Sequence, residues 1–358
     1  MSDARDPLRT RNTGDFPPYF NVRVPYEKVS DLRYGTNPSQ TAALYNNRSF
    51  LGRLRELRTG KDGPSQTNME DILFAAYTVG FFGAPAVAVM KHENPSGFAT
   101  AYKEEPVGHT FRKAWDADFV AAFGCTAFLN RPIDRETLDA MRGFIEVVVA
   151  PGYEEGVVEG FRNEEVRVFE YSMDDLNAIP RFTGDKFQRE VLMRKDGSVI
   201  VADPLLTPIR TVDDLRSYVV SDRQPTEREL QDLLTGYRIA LRSNSIRMIK
   251  NGYTTALGTG QQDRLMCLKI AAFKNQDLAE TAREKGRERA ADYSIPGSVV
   301  VHDAFQMPDN VDFANNLGIT AVLAPHGGKR FNEVKDKINL YGMAFVDLPG
   351  ELRLFDHH

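Results

Sequence analysis

The chain has 358 residues, 42% hydrophobic and 27% charged, with a formal net charge of -5 and a pI of about 5.8. That composition describes a globular protein long enough for two domains or one pseudo-duplicated unit; it argues against non-specific binding of nucleic acid or anionic membranes and leaves room for a local basic pocket. Cys125 and Cys267 lie far apart and outside any CxxC pair, so a reducing cytoplasm fits better than a disulfide framework, and no apolar run nears the roughly 20 residues of a membrane span.

In chain order, residues 1–20 lack the apolar centre of a signal peptide and read, with Pro17 and Pro18, as the start of a polar arm. In residues 33–40, Arg33 offers a planar fork suited to phosphate, Gly35 permits close backbone approach, and Asn37-Pro38 marks a turn; a plain surface turn is the bland alternative. Asn68 caps an expected helix with Met69, Ile72, Leu73, Ala76 and Val79 at helical spacing. Residues 86–90 (Ala-Val-Ala-Val-Met) read as a buried strand running into a polar loop at 91–97. Within that loop, His92 can take a proton from an amine and Lys91 can steady an oxyanion or protonate a leaving nitrogen, although a structural His beside a solvated Lys would look the same. Phe123-Gly124 can form a wall against a flat heterocycle or be simple core, and Glu146 can accept from ribose hydroxyls or be merely exposed. The strand at 147–149 runs into Ala150-Pro151-Gly152-Tyr153.

Residues 183–213 are richer in charge and proline and suit a connector between two halves. Thr226 and Glu229 form a capping box ahead of Leu230, Leu233, Leu234 and Tyr237. Asn244, in Arg242-Ser243-Asn244-Ser245, can hold a carboxamide, and Gly258-Thr259-Gly260 has the look of a weak phosphate cradle without being a Walker loop. Residues 278–293 read as a highly charged, solvated helix. A strand at 299–301 leads into Asp303-Ala304-Phe305, whose aromatic and carboxylate could sandwich a pterin. Another at 319–323 leads into Ala324-Pro325-His326-Gly327-Gly328, and the tail 352–358 alternates apolar residues like an ordered strand. Alternating strands and helices indicate an α/β fold, with ligands expected beyond the carboxyl ends of the strands. The likeness of an early and a late set of strand ends hints at duplication.

Taken together and in order, these segments resemble the transformylase half of the bifunctional purine-biosynthesis enzymes that also carry an inosinate cyclohydrolase. Residues 33–40, 91–97, 243–246, 258–264 and 303–309, the string 218–226 and the tail through Arg353 and Phe355 carry the likeness, which covers nearly everything from Ser30 on. The resemblance implies two cytidine-deaminase-like α/β subdomains, here 30–205 and 206–358 behind an arm at 1–29, and a homodimer with sites near the subunit interface. It implies transfer of a formyl group from 10-formyltetrahydrofolate to the 5-amino group of aminoimidazole carboxamide ribonucleotide (AICAR). Lys91, His92 and Asn244 would be catalytic; Arg33, Tyr34, Gly35, Phe123, Gly124, Glu146, Phe305 and Arg353 would line the nucleotide; Leu265, Asp309 and Gly328 would face the folate. Some members hold a potassium ion, whose ligands are not placed in this sequence.

Three departures accompany the likeness. The cyclohydrolase domain that usually precedes Arg33 is replaced by a short arm, so a separate cyclohydrolase would close the purine ring. The 303–309 loop is one residue shorter than the usual form, with Gln306 where an aromatic is common, and no serine follows Gly327. The last two fall on the donor side and keep another formyl carrier, or a non-catalytic ribonucleotide-binding subunit, as alternatives. A zinc deaminase is disfavoured because Glu93 follows His92 directly and neither cysteine has a partner, and free formate with ATP would need a P-loop that is absent.

Overall fold

A computed structural model describes residues 16–19, 25–46, 48–141, 143–239 and 245–354. The chain opens with a two-stranded ribbon, β1 (Glu27–Leu32) and β2 (Ala42–Asn46), then β3 (Arg55–Arg58). A first run of elements follows: α1 (Gln66–Val79), β4 (Ala86–Lys91), β5 (Asn94–Thr100), α2 (Val107–Ala117), β6 (Cys125–Leu129), α3 (Arg135–Ala140), β7 (Ile145–Ala150), α4 (Val157–Gly160) and β8 (Arg167–Glu170). The connector carries α5 (Met173–Asn177), a hairpin of β9 (Glu190–Met193) and β10 (Val199–Ala202), and α6 (Val212–Arg216). A second run then repeats the first: α7 (Glu227–Arg238), β11 (Ile246–Lys250), β12 (Tyr253–Gly258), α8 (Arg264–Glu284), β13 (Val299–His302), α9 (Pro308–Asn316), β14 (Ala321–Pro325), α10 (Phe331–Leu340) and β15 (Ala344–Leu348).

One sheet of eleven strands holds both runs, in the order β15-β14-β13-β11-β12-β5-β4-β6-β7-β8-β3. Read outward from the middle, 12-11-13-14-15 mirrors 5-4-6-7-8, so the faint duplication in the sequence is a repeat of topology. Each run starts as an antiparallel hairpin and continues as a parallel wing, β6 to β8 and β13 to β15. The runs join where β5 and β12 pair through the single register pair Ala99 and Tyr253. The outermost strand of the second wing, β15, is touched by a bridge from Val219 to Val346.

The alternation within the strands explains the layers. Ala88, Met90, Val147 and Val149 face a core shared with α1 and α7, while Val87, Val89 and Val148 face a core with α2. In the second run Val299 and Val301 join the first core and Val300 and Val322 a third one beneath α8 to α10. Period-two alternation thus serves two buried faces, the pattern expected of strands covered by helices on both sides.

Helix caps follow local chemistry. Thr226 and Glu229 make the expected reciprocal box at the start of α7. In α1 the cap is Ser65, with Asn68 as its partner three residues on, so Asn68 supports the cap instead of being it. The charged helix expected at 278–293 begins earlier, at Asp263's cap, and ends at Glu284; the residues after Lys285 leave the helix to reach α2. There, fully buried Asp116 receives Arg287 at 2.6 Å, Arg112 at 3.3 Å and the Ala290 amide at 2.9 Å, binding the two runs together. Replacing Asp116 with Ala leaves two arginines without their buried partner and should cost about 3–5 kcal/mol of stability; urea unfolding of the variant checks this. Where the tail is described it is not a strand: residues 350–352 form a 3-10 turn and Arg353 and Leu354 run on irregularly, while residues 355–358 lie outside the described residues. Among the described residues no helix is long and apolar enough to cross a membrane.

Candidate active site

Strand directions decide which segments share an edge. The register pairs Met90 with Thr126, and Cys125 with Ile145, so the carboxyl end of β4 lies beside the amino ends of β6 and β7. Lys91, His92, Phe123, Gly124 and Glu146 therefore meet on one edge. The candidate residues thus lie beyond the carboxyl end of β4 but at the amino ends of β6 and β7. For the same reason the 150–153 loop, after β7, lies at the opposite edge and takes no part. A cavity of about 670 Å³ lined by Ala84, Pro85 and residues 101–106 also lies at that opposite edge.

The expected loop at 91–97 is a hairpin. Only His92 and Glu93 form the turn, both with positive φ (56° and 61°), and Asn94 already begins β5. A two-residue turn of this hand matches strand twist but favours Asn and Gly; two ordinary side chains there store strain, on the order of 1–3 kcal/mol each, that the surroundings must offset. The turn thrusts the exposed His92 off the sheet edge. Asp71 of α1 accepts the Glu93 amide at 2.6 Å, and the His92 amide is also directed to it. Burial is the leading cause that lifts the Asp71 carboxyl to about 7; the two amides oppose it, and Glu93 and Glu70 add to it.

Lys91 Nζ donates to the Phe123 carbonyl at 2.6 Å, so the ammonium sits against the Phe123-Gly124 segment. Phe123 is 61% exposed and stacks on Phe144 with ring centroids 4.9 Å apart, which leaves its other face open. Gly124 has φ of 75°, a left-handed conformation that favours glycine, and it sits in contact range of the Glu146 carboxylate. Glu146 lies 3.5 Å from Arg167 Nη1 and 3.9 Å from Lys61 Nζ. Arg167 is nearly fully buried, and it fastens the 60–63 loop through Nε to Gly63 O at 2.6 Å and Nη2 to Lys61 O at 3.3 Å. Its guanidinium is drawn below its usual range by burial, with Glu146 opposing and Arg33 reinforcing. Arg33 and Tyr34 are stitched alongside: the Arg33 amide donates to Pro64 O at 2.9 Å, Tyr34 O accepts from the Gln66 amide at 3.0 Å, and the buried Gly35 donates to Gln40 O at 3.0 Å. Lys61 and Arg167 thus flank one carboxylate, with Arg33 in electrostatic reach of Arg167, an arrangement able to hold a phosphorylated ribose.

The second run presents its residues on the same edge, at the carboxyl ends of β13 and β14. Phe305 is 40% exposed and packs against Gly327 and Gly328, where added Cβ atoms would come within 3.3 and 2.9 Å of its ring. Asp309 is exposed in the first turn of α9, and the Leu265 amide, at the start of α8, donates to Asp263 at 2.8 Å. His326 Nδ1 lies 2.6 Å from the Asp347 carboxylate. Arg353 is exposed just beyond Leu352, whose carbonyl accepts from Tyr237 at 2.6 Å. Beneath them, polar atoms of Ser245, Arg247, His302, Asp303 and Gln306 are buried without a hydrogen bond among the described residues, apart from an Arg264–Asp303 ion pair at 3.4 Å. Burial holds His302 neutral, its value lowered to about 3.

The two sets are not adjacent. From β4 to β13 the order passes β5, β12 and β11, four spacings or roughly 19 Å. The structure therefore gathers Lys91, His92, Arg33, Tyr34, Gly35, Phe123, Gly124 and Glu146 in one group. Phe305, Leu265, Asp309, Gly328 and Arg353 belong to another, and Asn244 and Phe355 lie outside the described residues. Sequence reasoning missed Lys61, Arg167 and Asp71. Arg167 had a signal, a charge inside the apolar run Val166-Arg167-Val168-Phe169; Lys61 and Asp71 had none above background.

The family described as AICARFT/IMPCHase bienzyme matches residues 5–274. Proteins named bifunctional purine biosynthesis protein PurH are similar over most of the chain: 32% identical over 332 residues in Oceanobacillus iheyensis, covering 90% of this chain and 59% of the relative. In Pelodictyon phaeoclathratiforme the identity is 34% over 339 residues, covering 91% and 58%, and in Chlorobaculum parvum 34% over 337 residues, covering 91% and 59%. The chain thus spans somewhat under three fifths of the length of these relatives. A match of that extent to the family and to its PurH members shows that this chain belongs to the AICARFT/IMPCHase bienzyme family.

Proposed function

We propose that this chain transfers a formyl group from 10-formyltetrahydrofolate to the 5-amino group of AICAR, in purine biosynthesis. The observation that carries this reading is the His92 turn: a titratable side chain held off a sheet edge by a strained hairpin, beside Lys91 and a cationic group around Glu146. Arg33, Lys61 and Arg167 take the phosphoribosyl end, Glu146 the ribose hydroxyls, and the open face of Phe123 the heterocycle. His92 removes a proton as the amine nitrogen attacks the formyl carbon. Lys91 offsets the oxyanion charge, then gives a proton to the folate nitrogen as its bond to carbon breaks and its electron pair returns to it. Asn244 would orient the carboxamide, and Leu265, Asp309 and Gly328 the donor.

The separation of roughly 19 Å between the two sets supports a homodimer in which one copy's His92 edge faces the other's Phe305 edge. The halves 30–205 and 206–358, behind an arm at 1–29, would then each contribute to two shared sites.

Turnover of purified protein with AICAR and 10-formyltetrahydrofolate, followed by tetrahydrofolate release, tests the reaction. Nucleotide binding without turnover for any reduced-folate donor would overturn it. If Arg353 of the facing copy also holds the nucleotide, mixing His92→Ala with Arg353→Ala, at AICAR too dilute to occupy the latter, tests the shared site: roughly a quarter of wild-type activity should return on subunit exchange, whereas no recovery would place each site within one copy.

A further inference from the structure

The two runs hold the same hairpin in two different ways. In the second run the turn is Asn251-Gly252, with φ of 51° and 82°, a pair that adopts this conformation at little cost. Asp232 of α7 accepts both turn amides, at 3.1 and 2.8 Å. It is also paired with Arg228 at 2.7 Å and receives the Tyr102 hydroxyl at 2.9 Å, so its charge is answered. Asp71 occupies the matching place in α1: it follows its cap, Ser65, by six residues, as Asp232 follows Thr226. Lys91 likewise matches Lys250 as the last residue of its strand. The position matching Arg228, four residues before the aspartate, is Thr67 in the first run. Asp71 is thus 4% exposed, with no ion pair among the described residues, and it clamps a turn of two ordinary side chains.

We propose that Asp71 is a positioning residue for the proposed reaction: by accepting the turn amides it holds the His92-Glu93 turn in its left-handed form and so aims the His92 ring at the substrate amine. This rests on the formyl-transfer reading for its effect on rate, but the clamp itself does not. Asp71 touches no reacting atom; it works through the backbone of the residue that does. The second run shows what the same clamp does where the turn needs little holding. An aspartate kept buried without a cation, opposite a turn that needs one, has its use in that turn.

The test compares Asp71→Ala, Asp71→Asn and the control Asp232→Asn in the full chain. Asp71→Ala should lower kcat at least 30-fold with nucleotide affinity within about 3-fold, because geometry at His92 is lost while Arg33, Lys61 and Arg167 stay in place. Asp71→Asn keeps an acceptor oxygen and should stay within about 5-fold of wild type. Asp232→Asn should leave kcat within about 3-fold. Amide hydrogen exchange over residues 91–94 reads the clamp without activity and should speed at least 10-fold in Asp71→Ala. Adding Glu93→Gly to Asp71→Ala imitates the second-run turn, and should slow that exchange and restore at least 10-fold in kcat; it also serves if the single alanine variant fails to fold. Unchanged exchange in Asp71→Ala, or faster exchange with undiminished kcat, overturns the proposal. If the wild type shows no turnover with these substrates, the proposed reaction fails and the exchange measurement alone decides whether Asp71 holds the turn.

Discussion

Replacing His92 with Ala is expected to lower turnover by roughly 10²- to 10⁴-fold while AICAR affinity changes little. The reason lies in how the site divides its work. His92 is exposed at the tip of its turn, and the groups suited to the phosphoribosyl end, Arg33, Lys61 and Arg167, are fixed by other backbone: Arg33 through Pro64, Lys61 and Gly63 through Arg167. Removing the imidazole leaves them where they are. A variant that kept its full rate would mean that another group takes the amine proton. One that lost affinity as strongly as rate would mean that His92 binds the nucleotide instead. Isothermal titration with AICAR beside steady-state kinetics separates these outcomes.

Asp71→Asn should stabilise the protein, and the gain should grow with pH. The carboxyl is raised from 3.8 to about 7, chiefly by burial, with Glu70 and Glu93 nearby and the turn amides as its only strong compensation. The folded state therefore keeps a proton that the unfolded chain releases above about pH 4, and stability falls as pH rises from there to about 7 and is level beyond. At full extent the cost is on the order of 4 kcal/mol. Asparagine keeps an acceptor for the Glu93 amide and has no charge to bury. Below about pH 4 variant and wild type should unfold at the same urea concentration, and their midpoints should part between about pH 4 and pH 7. Parallel curves across that range would mean that Asp71 ionises freely in the folded protein. Cys125, also buried and in electrostatic reach of Asp71, has its thiol pushed up out of the range and so does not contribute.

The sequence was most legible where a local rule decides the outcome. Residues 86–90, 147–149 and 299–301 are continuous apolar runs, and each is a strand buried on both faces. The Thr226 box needs only residues three apart. Errors arose where distant parts decide. The polar stretch 91–97 reads as a loop, yet Pro95, Gly97 and Phe98 form a strand because β4 offers them a partner and Gly97 lets α2 approach, its missing Cβ lying 1.9 Å from Ala114 O. The helix at 264–284 is apolar nearly all round in its first half, from Leu265 to Phe273, and mostly polar or charged in its second, so its extent could not be read from a single periodic face. Among the candidate site residues, those in distinctive strings could be named from the sequence, while Asp71 and Lys61 could not. Their significance comes from meeting the His92 turn and Glu146 in space, which no spacing along the chain announces.

The order of the eleven strands also bears on how such a sheet stays apart from its neighbours. An open sheet ends in two strands whose outer hydrogen-bonding groups invite another sheet to add on. At one end, β3 is only four residues long and reads Arg-Glu-Leu-Arg, so an incoming strand would meet charge on three of four positions. At the other, β15 is longer and apolar, and the chain covers it itself. Residues 218–220 lie along it, the Val220 amide donating to Phe345 O at 3.0 Å and the Asp347 amide to Tyr218 O at 3.0 Å. One border repels by charge and the other is occupied from within, which leaves the polymerising tendency of a wide sheet without a free strand to start from.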